Sequence, residues 1–224
     1  MKLAAISDLH GFLPVITEKV DLVLIGGDIS PLEIQRDQFM MLRWFKDQFY
    51  QFINNLNCDK VVLIAGNHDF GMERSIVDFK IFGDKLVYLK NELYEYNGLK
   101  IFGTPYCHIF GKWPFMKRNS DLRREFKAIP ENLDILLTHD PAFGLNKTDS
   151  VLDYGEDNLG NVPLRDRLEE LITPPKYIFS GHIHTGNHNL EEFTLNSGCK
   201  VFCANVSVKN EEYKPIYPPL FVEL

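Results

Sequence analysis

Five short clusters in this chain carry side chains able to hold metal ions or move protons. They are Asp8 with His10; Asp28; Asn67, His68 and Asp69; His139; and His182 with His184. Imidazole and carboxylate donors in such a mixture suit first-row metals, with Mn, Fe and Zn among them. Taken singly, the clusters are weak signals. An Asp-x-His pair is common by chance, and one histidine at a strand end is often a hydrogen-bonded structural residue. Gly66-Asn67-His68-Asp69 and Gly181-His182-Ile183-His184 are more specific. The ordered set is strong evidence for a metal site.

The setting of the clusters makes them coherent. Each follows a short apolar run: Leu3 to Ile6, Leu22 to Ile25, Val61 to Ala65, Ile135 to Leu137, and Tyr177 to Phe179. Such Val-, Ile- and Leu-rich runs suit strands buried on both faces. In open α/β sheets, ligands gather outside the carboxyl ends of the strands, which is where all five clusters fall. Phe39, Leu42, Phe45, Phe49, Phe52, Ile53 and Leu56 recur at helical spacing and predict a crossover helix between the second and third strands. Further helices are expected at Glu73 to Phe82, Asp121 to Lys127 and Val162 to Leu171. Asn97-Gly98 between Leu93–Tyr96 and Leu99–Gly103 predicts a hairpin. Lys200 to Ala204 and Leu220 to Glu223 read as the last strands. This inventory suggests an α/β fold of two stacked sheets with helices outside.

Composition narrows the partners. The 224 residues are expected to form a single domain, 1–224, with 45% hydrophobic and 25% charged residues. A net charge of −7 argues against nucleic acid, though not against a phosphate ester, because bound cations invert the local field. No apolar run reaches the roughly 18 residues of a membrane span. Lys2 to Ser7 reads as a core strand rather than a secretory signal. The four cysteines form no CxxC pair, so reduced thiols and a cytoplasmic location are expected.

Asp8-x-His10, Gly27-Asp28, Gly66-Asn67-His68-Asp69, His139 and Gly181-His182-x-His184 together resemble the signature of the calcineurin-like metallophosphoesterase superfamily. That resemblance implies a four-layer α/β/β/α sandwich with two stacked mixed sheets and a dinuclear metal centre. It assigns Asp8, His10, Asp28 and His184 to one metal and Asp28, Asn67, His139 and His182 to the other, with Asp28 shared. It also places His68 beside the scissile phosphate, oriented by Asp69. Mn, Fe and Zn all tolerate this ligand set. Gly103-Thr104-Pro105-Tyr106, Thr138 to Ala142 and Asn205-Val206-Ser207 are similar to the MPPED group of small phosphodiesterases. The implied activity is cleavage of a small phosphodiester, such as a cyclic nucleotide, with a phosphomonoesterase as the alternative. No arginine follows Asp28 as in the protein serine/threonine phosphatases, and the chain is too short for the capping domain of the DNA-repair nucleases. A non-catalytic scaffold of the same fold would lack ligands that this chain retains.

Several other features have modest expectations. Residues 107–120, with His108, Phe110, Trp113, Phe115, Lys117 and Arg118, and residues 143–161 are candidate lids over the site. Asn205 is expected to hydrogen-bond a ligand loop, and His188 to lie at the surface. Arg123, Arg124 and Lys127 are expected on the wet face of a helix, and Cys199 and Cys203 are explained by packing.

Overall fold

The computed structural model describes residues 1–151 and 157–224. The strands of its two main sheets are β1 (Lys2–Ile6), β2 (Val20–Ile25), β3 (Cys58–Leu63), β4 (Leu86–Tyr88), β5 (Glu92–Tyr96), β6 (Leu99–Thr104), β7 (Ile135–Thr138), β8 (Tyr177–Ser180), β9 (Glu191–Thr194), β10 (Lys200–Asn205) and β11 (Leu220–Glu223). Alternation along the central strands divides their apolar side chains between two faces. Leu3, Ala5, Leu22, Leu24 and Val62 face one way, while Ala4, Ile6, Val23, Ile25, Val61 and Leu63 face the other. A strand buried on both sides needs cover on both, and it receives a helix on one and a second sheet on the other.

The first sheet runs β11-β1-β2-β3-β4 and the second β9-β10-β8-β7-β6-β5. Both are parallel at their centres: the first has one antiparallel edge, β11 on β1, with β4 parallel to β3, and the second is antiparallel at both edges, β9 on β10 and β5 on β6. Between the sheets lie Leu3, Leu22, Leu24, Val62, Ile64, Ile135, Leu137 and Phe179. On the far side of the second sheet, Leu136 and Ile178 pack against Leu122 and Phe126 of helix Asn119–Phe126 and Leu164 and Leu168 of helix Val162–Glu170. The result is the four-layer α/β/β/α sandwich with two mixed sheets that the resemblance implies. Phe126→Ala should cost about 3–5 kcal/mol, because its fully buried ring would leave a cavity. A fall in the urea midpoint at unchanged slope would report it.

The helix covering the first sheet begins at Gln38, where the Asp37 carboxylate accepts hydrogen bonds from the amides of Phe39 and Met40. It passes through a π turn at Phe45–Phe49 and ends at Asn55. Met41, Trp44, Phe45, Phe49 and Ile53 form its buried stripe. Phe39 does not join them and is 74% exposed. It lies two residues from Met41, hence on nearly the opposite side of the helix. The expected helix from Glu73 to Phe82 is also replaced by two short pieces, Phe70–Glu73 and a 3₁₀ segment at Phe79–Lys85. Ser75 adopts φ 56°, and the Asp78 side chain accepts from the Lys80 amide to start a new turn. The hairpin is as expected. Tyr96 pairs with Leu99, and Asn97 and Gly98 take the φ values of 48° and 84° that a tight turn requires.

Candidate active site

The clusters predicted at strand ends converge on one edge where the two sheets meet. Asp8 and His10 follow β1, Asp28 follows β2, and Asn67, His68 and Asp69 follow β3. His139 follows β7, and His182 and His184 follow β8. The sheets are seamed here. The Ser7 amide donates to the Val206 carbonyl at 2.7 Å, and the Val208 amide donates to the Ser7 carbonyl at 3.0 Å.

Turning side chains inward from strand ends demands unusual backbone. Asp8, His10, Asp28 and His182 all have positive φ, at 56°, 40°, 52° and 66°. Non-glycine residues rarely adopt this region, and they concentrate at functional sites. The adjoining glycines provide room. A Cβ on Gly66 would lie 2.2 Å from Asp28 Oδ1, and one on Gly181 would lie 2.2 Å from Asp8 Oδ2.

Two donor groups result, Asp8 with His10 and His184, and Asp28 with His139 and His182. Within each, ligand atoms lie within 4.8 Å of one another. The groups meet at Asp28, whose Oδ2 is 3.7 Å from His10 Nε2 and 3.4 Å from His139 Nε2. Asn67 Oδ1 joins the second group, 3.0 Å from His139 Nε2. Among the described residues, the ion pairs of Asp8 and Asp28 are with imidazoles, not with lysine or arginine.

The electrostatics are those of a cation site. Burial opposes charge on both carboxyls. The surrounding histidines outweigh it, with His184 foremost for Asp8 and His139 for Asp28, and hold both below the usual carboxylate range. Burial likewise opposes charge on His139 and His184, yet Asp28 and Asp8 raise them to about 10 and about 9. Burial wins at His10 and His182, both lowered to about 4 and therefore neutral donors. Both ring nitrogens of His10 are buried without a hydrogen-bond partner. A buried, neutral, unpartnered imidazole beside ionised carboxylates fits a metal ligand.

The surrounding structure fixes which nitrogen is presented. His139 Nδ1 donates to the Gly26 carbonyl at 2.8 Å and His184 Nδ1 to the Asn210 carbonyl at 2.9 Å, so both turn Nε2 toward the carboxylates. Asn205 Nδ2 donates to the carbonyls of Thr148, Gly181 and Ile183 at 3.0, 3.1 and 2.7 Å, clamping the loop before His184 as expected. The Ser207 hydroxyl donates to Asp8 Oδ2 at 2.8 Å.

Asp69 requires a correction. It does not orient His68, because its carboxylate is engaged elsewhere. Oδ1 accepts from the amides of Ile29 and Ser30 and from the Ser30 hydroxyl, and Oδ2 accepts from the Gly66 amide, at 2.9–3.1 Å. Burial and Asp28 push this carboxyl up to about 6 while those amides hold it down. All four partners are donors, which suits the carboxylate form. Its work is to tie the loop after β2 to the loop after β3. Asp69→Ala should therefore lose about 4 kcal/mol of stability, taking roughly 1 kcal/mol for each of its four bonds, seen as a lower urea midpoint.

The segment 107–120 closes over the site with its aromatic residues. The Trp113 ring centroid lies 4.6 Å from that of His68, and Phe110 lies 5.2 Å from His182. His108 turns back, its Nδ1 2.8 Å from Asp140 Oδ2. Lys117 is paired with Glu125 and lies over Tyr106 instead. Arg123, Arg124 and Lys127 are exposed, as expected. Of the second candidate lid, 152–156 lie outside the described residues, and Asp149 binds the amides of Gly144 and Gly160. His188 stays outside both donor groups, stacked on Tyr217.

Sequence reasoning missed two contributors. Tyr213 stands edge-on to His10 and His184, at 4.9 and 5.4 Å between ring centroids. Gln35 contacts His68. Tyr213 lies in Asn210-Glu211-Glu212-Tyr213, which reads as an ordinary polar turn, and no spacing marks Gln35.

The chain belongs to the calcineurin-like phosphoesterase family, whose model matches residues 1–186. It is similar to Metallophosphoesterase domain-containing protein 1 of Homo sapiens, 24% identical, with 100% of this chain and 71% of that protein aligned. A UPF0046 protein of Caenorhabditis elegans is 29% identical over 85% of this chain and 53% of its own length. A solved archaeal phosphodiesterase aligns over 99% of this chain and 100% of its own, with a TM-score of 0.43 and 18% identity. The family is one of phosphoester hydrolases that use divalent metals, and the MPPED-like resemblance stands with it.

Proposed function

We propose that this protein is a dinuclear metal-dependent phosphodiesterase acting on a small diester. The observation that carries the reading is Asp28, whose single Oδ2 stands between His10 of one donor group and His139 of the other. A shared anionic oxygen is what two neighbouring cations need to offset their repulsion. Asp8, His10, Asp28 and His184 would hold one metal, and Asp28, Asn67, His139 and His182 the other, with Mn, Fe or Zn fitting the donors. Bound there, such a pair lowers the pKa of water and neutralises charge on phosphoryl oxygens.

The chain supplies orientation and a proton. Backbone carbonyls at Gly26 and Asn210 fix the rings of His139 and His184. His68 lines the same cavity of about 270 Å³ and would protonate the departing alkoxide. Trp113 and Phe110 wall that cavity, whose volume suits a small ester. The net charge of −7 gives no basic track for a polymer of nucleotides.

The test is hydrolysis of bis(p-nitrophenyl) phosphate beside p-nitrophenyl phosphate, after metal stripping and reloading with Mn²⁺. Metal-dependent cleavage that favours the diester is expected. A preference for the monoester would make the protein a phosphomonoesterase. Two bound metals without turnover of either ester would count against catalysis.

A further inference from the structure

His68 keeps a partner at its ring although Asp69 is engaged elsewhere, and that partner is a neutral amide. Gln35 Oε1 lies 2.8 Å from His68 Nδ1. The other end of the amide fixes its orientation, because Gln35 Nε2 is 3.0 Å from the Leu32 carbonyl. A carbonyl only accepts, so the NH₂ group must face Leu32 and the oxygen must face His68. That oxygen also only accepts, so His68 Nδ1 must bear hydrogen. This holds for both the neutral and the charged ring. The nitrogen whose proton can come and go is therefore Nε2.

The remaining contacts make this a built arrangement. Residues 31–37 form a tight turn, with the Ile34 amide donating to the Pro31 carbonyl and the Asp37 amide to the Ile34 carbonyl. The turn starts beside Ser30, whose amide and hydroxyl bind Asp69. Asp69 thus supports His68 at one remove, through the turn that carries Gln35. The neighbouring Arg36 guanidinium lies over Trp113 and Phe70, at 5.2 and 4.4 Å from the ring centroids, and Trp113 flanks His68. The His68 amide donates to Asp28 Oδ1 at 2.7 Å.

We infer that Gln35 is the positioning residue of His68, fixing its tautomer so that Nε2 delivers the proton to the leaving group. The inference rests on the proposed diester hydrolysis. In that step a water oxygen bonds to phosphorus while the bond from phosphorus to the departing ester oxygen breaks. The Nε2 proton passes to that oxygen, giving an alcohol, and the proton released by the attacking water returns to Nε2 through solvent. Throughout, Nδ1–H stays on Gln35.

The experiment uses the full, Mn²⁺-reloaded chain as wild type, Gln35→Leu, His68→Ala and the double variant. The substrates are diphenyl phosphate, whose leaving phenolate needs a proton, and bis(p-nitrophenyl) phosphate, whose leaving group needs it far less. Gln35→Leu should lower kcat on diphenyl phosphate by roughly 10- to 100-fold, with a much smaller loss on the nitrophenyl ester and unchanged metal content. The double variant should match His68→Ala, since residues acting as one unit are non-additive. Equal losses on both esters, or fully additive losses, would overturn the assignment. Nitrogen NMR of the His68 ring gives a readout independent of turnover. Wild type should carry hydrogen on Nδ1 and Gln35→Leu should shift toward the Nε2–H tautomer. A wild-type ring protonated only at Nε2 would refute the inference. A wild type inert to both esters but with Nδ1–H in place would count against the diesterase reading alone.

Discussion

Asp28→Ala is expected to lose both metals and to reduce phosphodiester hydrolysis by more than about a thousandfold. A single preorganised group stabilising transition-state charge is worth roughly 10²–10³ in rate, and Asp28 would serve two cations at once. Its Oδ2 lies 3.7 Å from His10 Nε2 of one donor group and 3.4 Å from His139 Nε2 of the other, and its Oδ1 accepts the hydrogen bond from the His68 amide. Alanine leaves His10 and His139 in place but removes the charge between them. The fold should survive, since the change deletes a buried carboxylate rather than apolar packing. Metal analysis, circular dichroism and hydrolysis on one preparation decide the matter. A folded variant that still binds two metals per chain would exclude Asp28 as the bridge.

His68→Ala should behave differently. It is expected to keep both metals and to lose roughly 10²–10⁴ in kcat on an ester with a basic leaving group, the usual contribution of a positioned proton donor. His68 contributes no ligand atom to either donor group, so metal content should be indifferent to it. Its ring stands edge-on to His10 at 4.9 Å and against Trp113 at 4.6 Å, near enough to the donor groups to reach an ester held there. Loss of metal on substitution would make the residue part of the metal site. An unchanged rate on diphenyl phosphate would remove it from proton transfer.

The metal-site candidates were the most legible part of the sequence because their signal is local. Apolar strands that end in Asp, Asn or His bring those residues together whenever the strands are parallel, whatever the loops do. Helix Val162–Glu170 was legible for a similar reason, with Asn161 capping it and Pro163 in its first turn. Phe39 misled because its spacing to Leu42 matches a helical face, while the buried stripe runs through Met41, Phe45 and Phe49. β9 was missed because Glu191-Glu192-Phe193-Thr194 lies at a sheet edge and presents polar side chains to solvent. Gln35 and Tyr213 reach the site by tertiary routes that no spacing encodes. The resemblance makes Asp69, next to His68 in the chain, its partner, but adjacency along a turn says little about where a carboxylate points.

The left-handed backbone at Asp8, His10, Asp28 and His182 has an evolutionary consequence. For residues other than glycine that conformation costs on the order of 1–3 kcal/mol each. Glycine would relieve the strain at any of them and erase a donor at the same stroke. Selection for thermal robustness and selection for chemistry therefore pull against each other at four of the seven residues proposed as ligands. A library of variants screened for heat resistance alone should drift toward inactive proteins through these positions, whereas stabilising changes placed in the three apolar layers carry no such conflict.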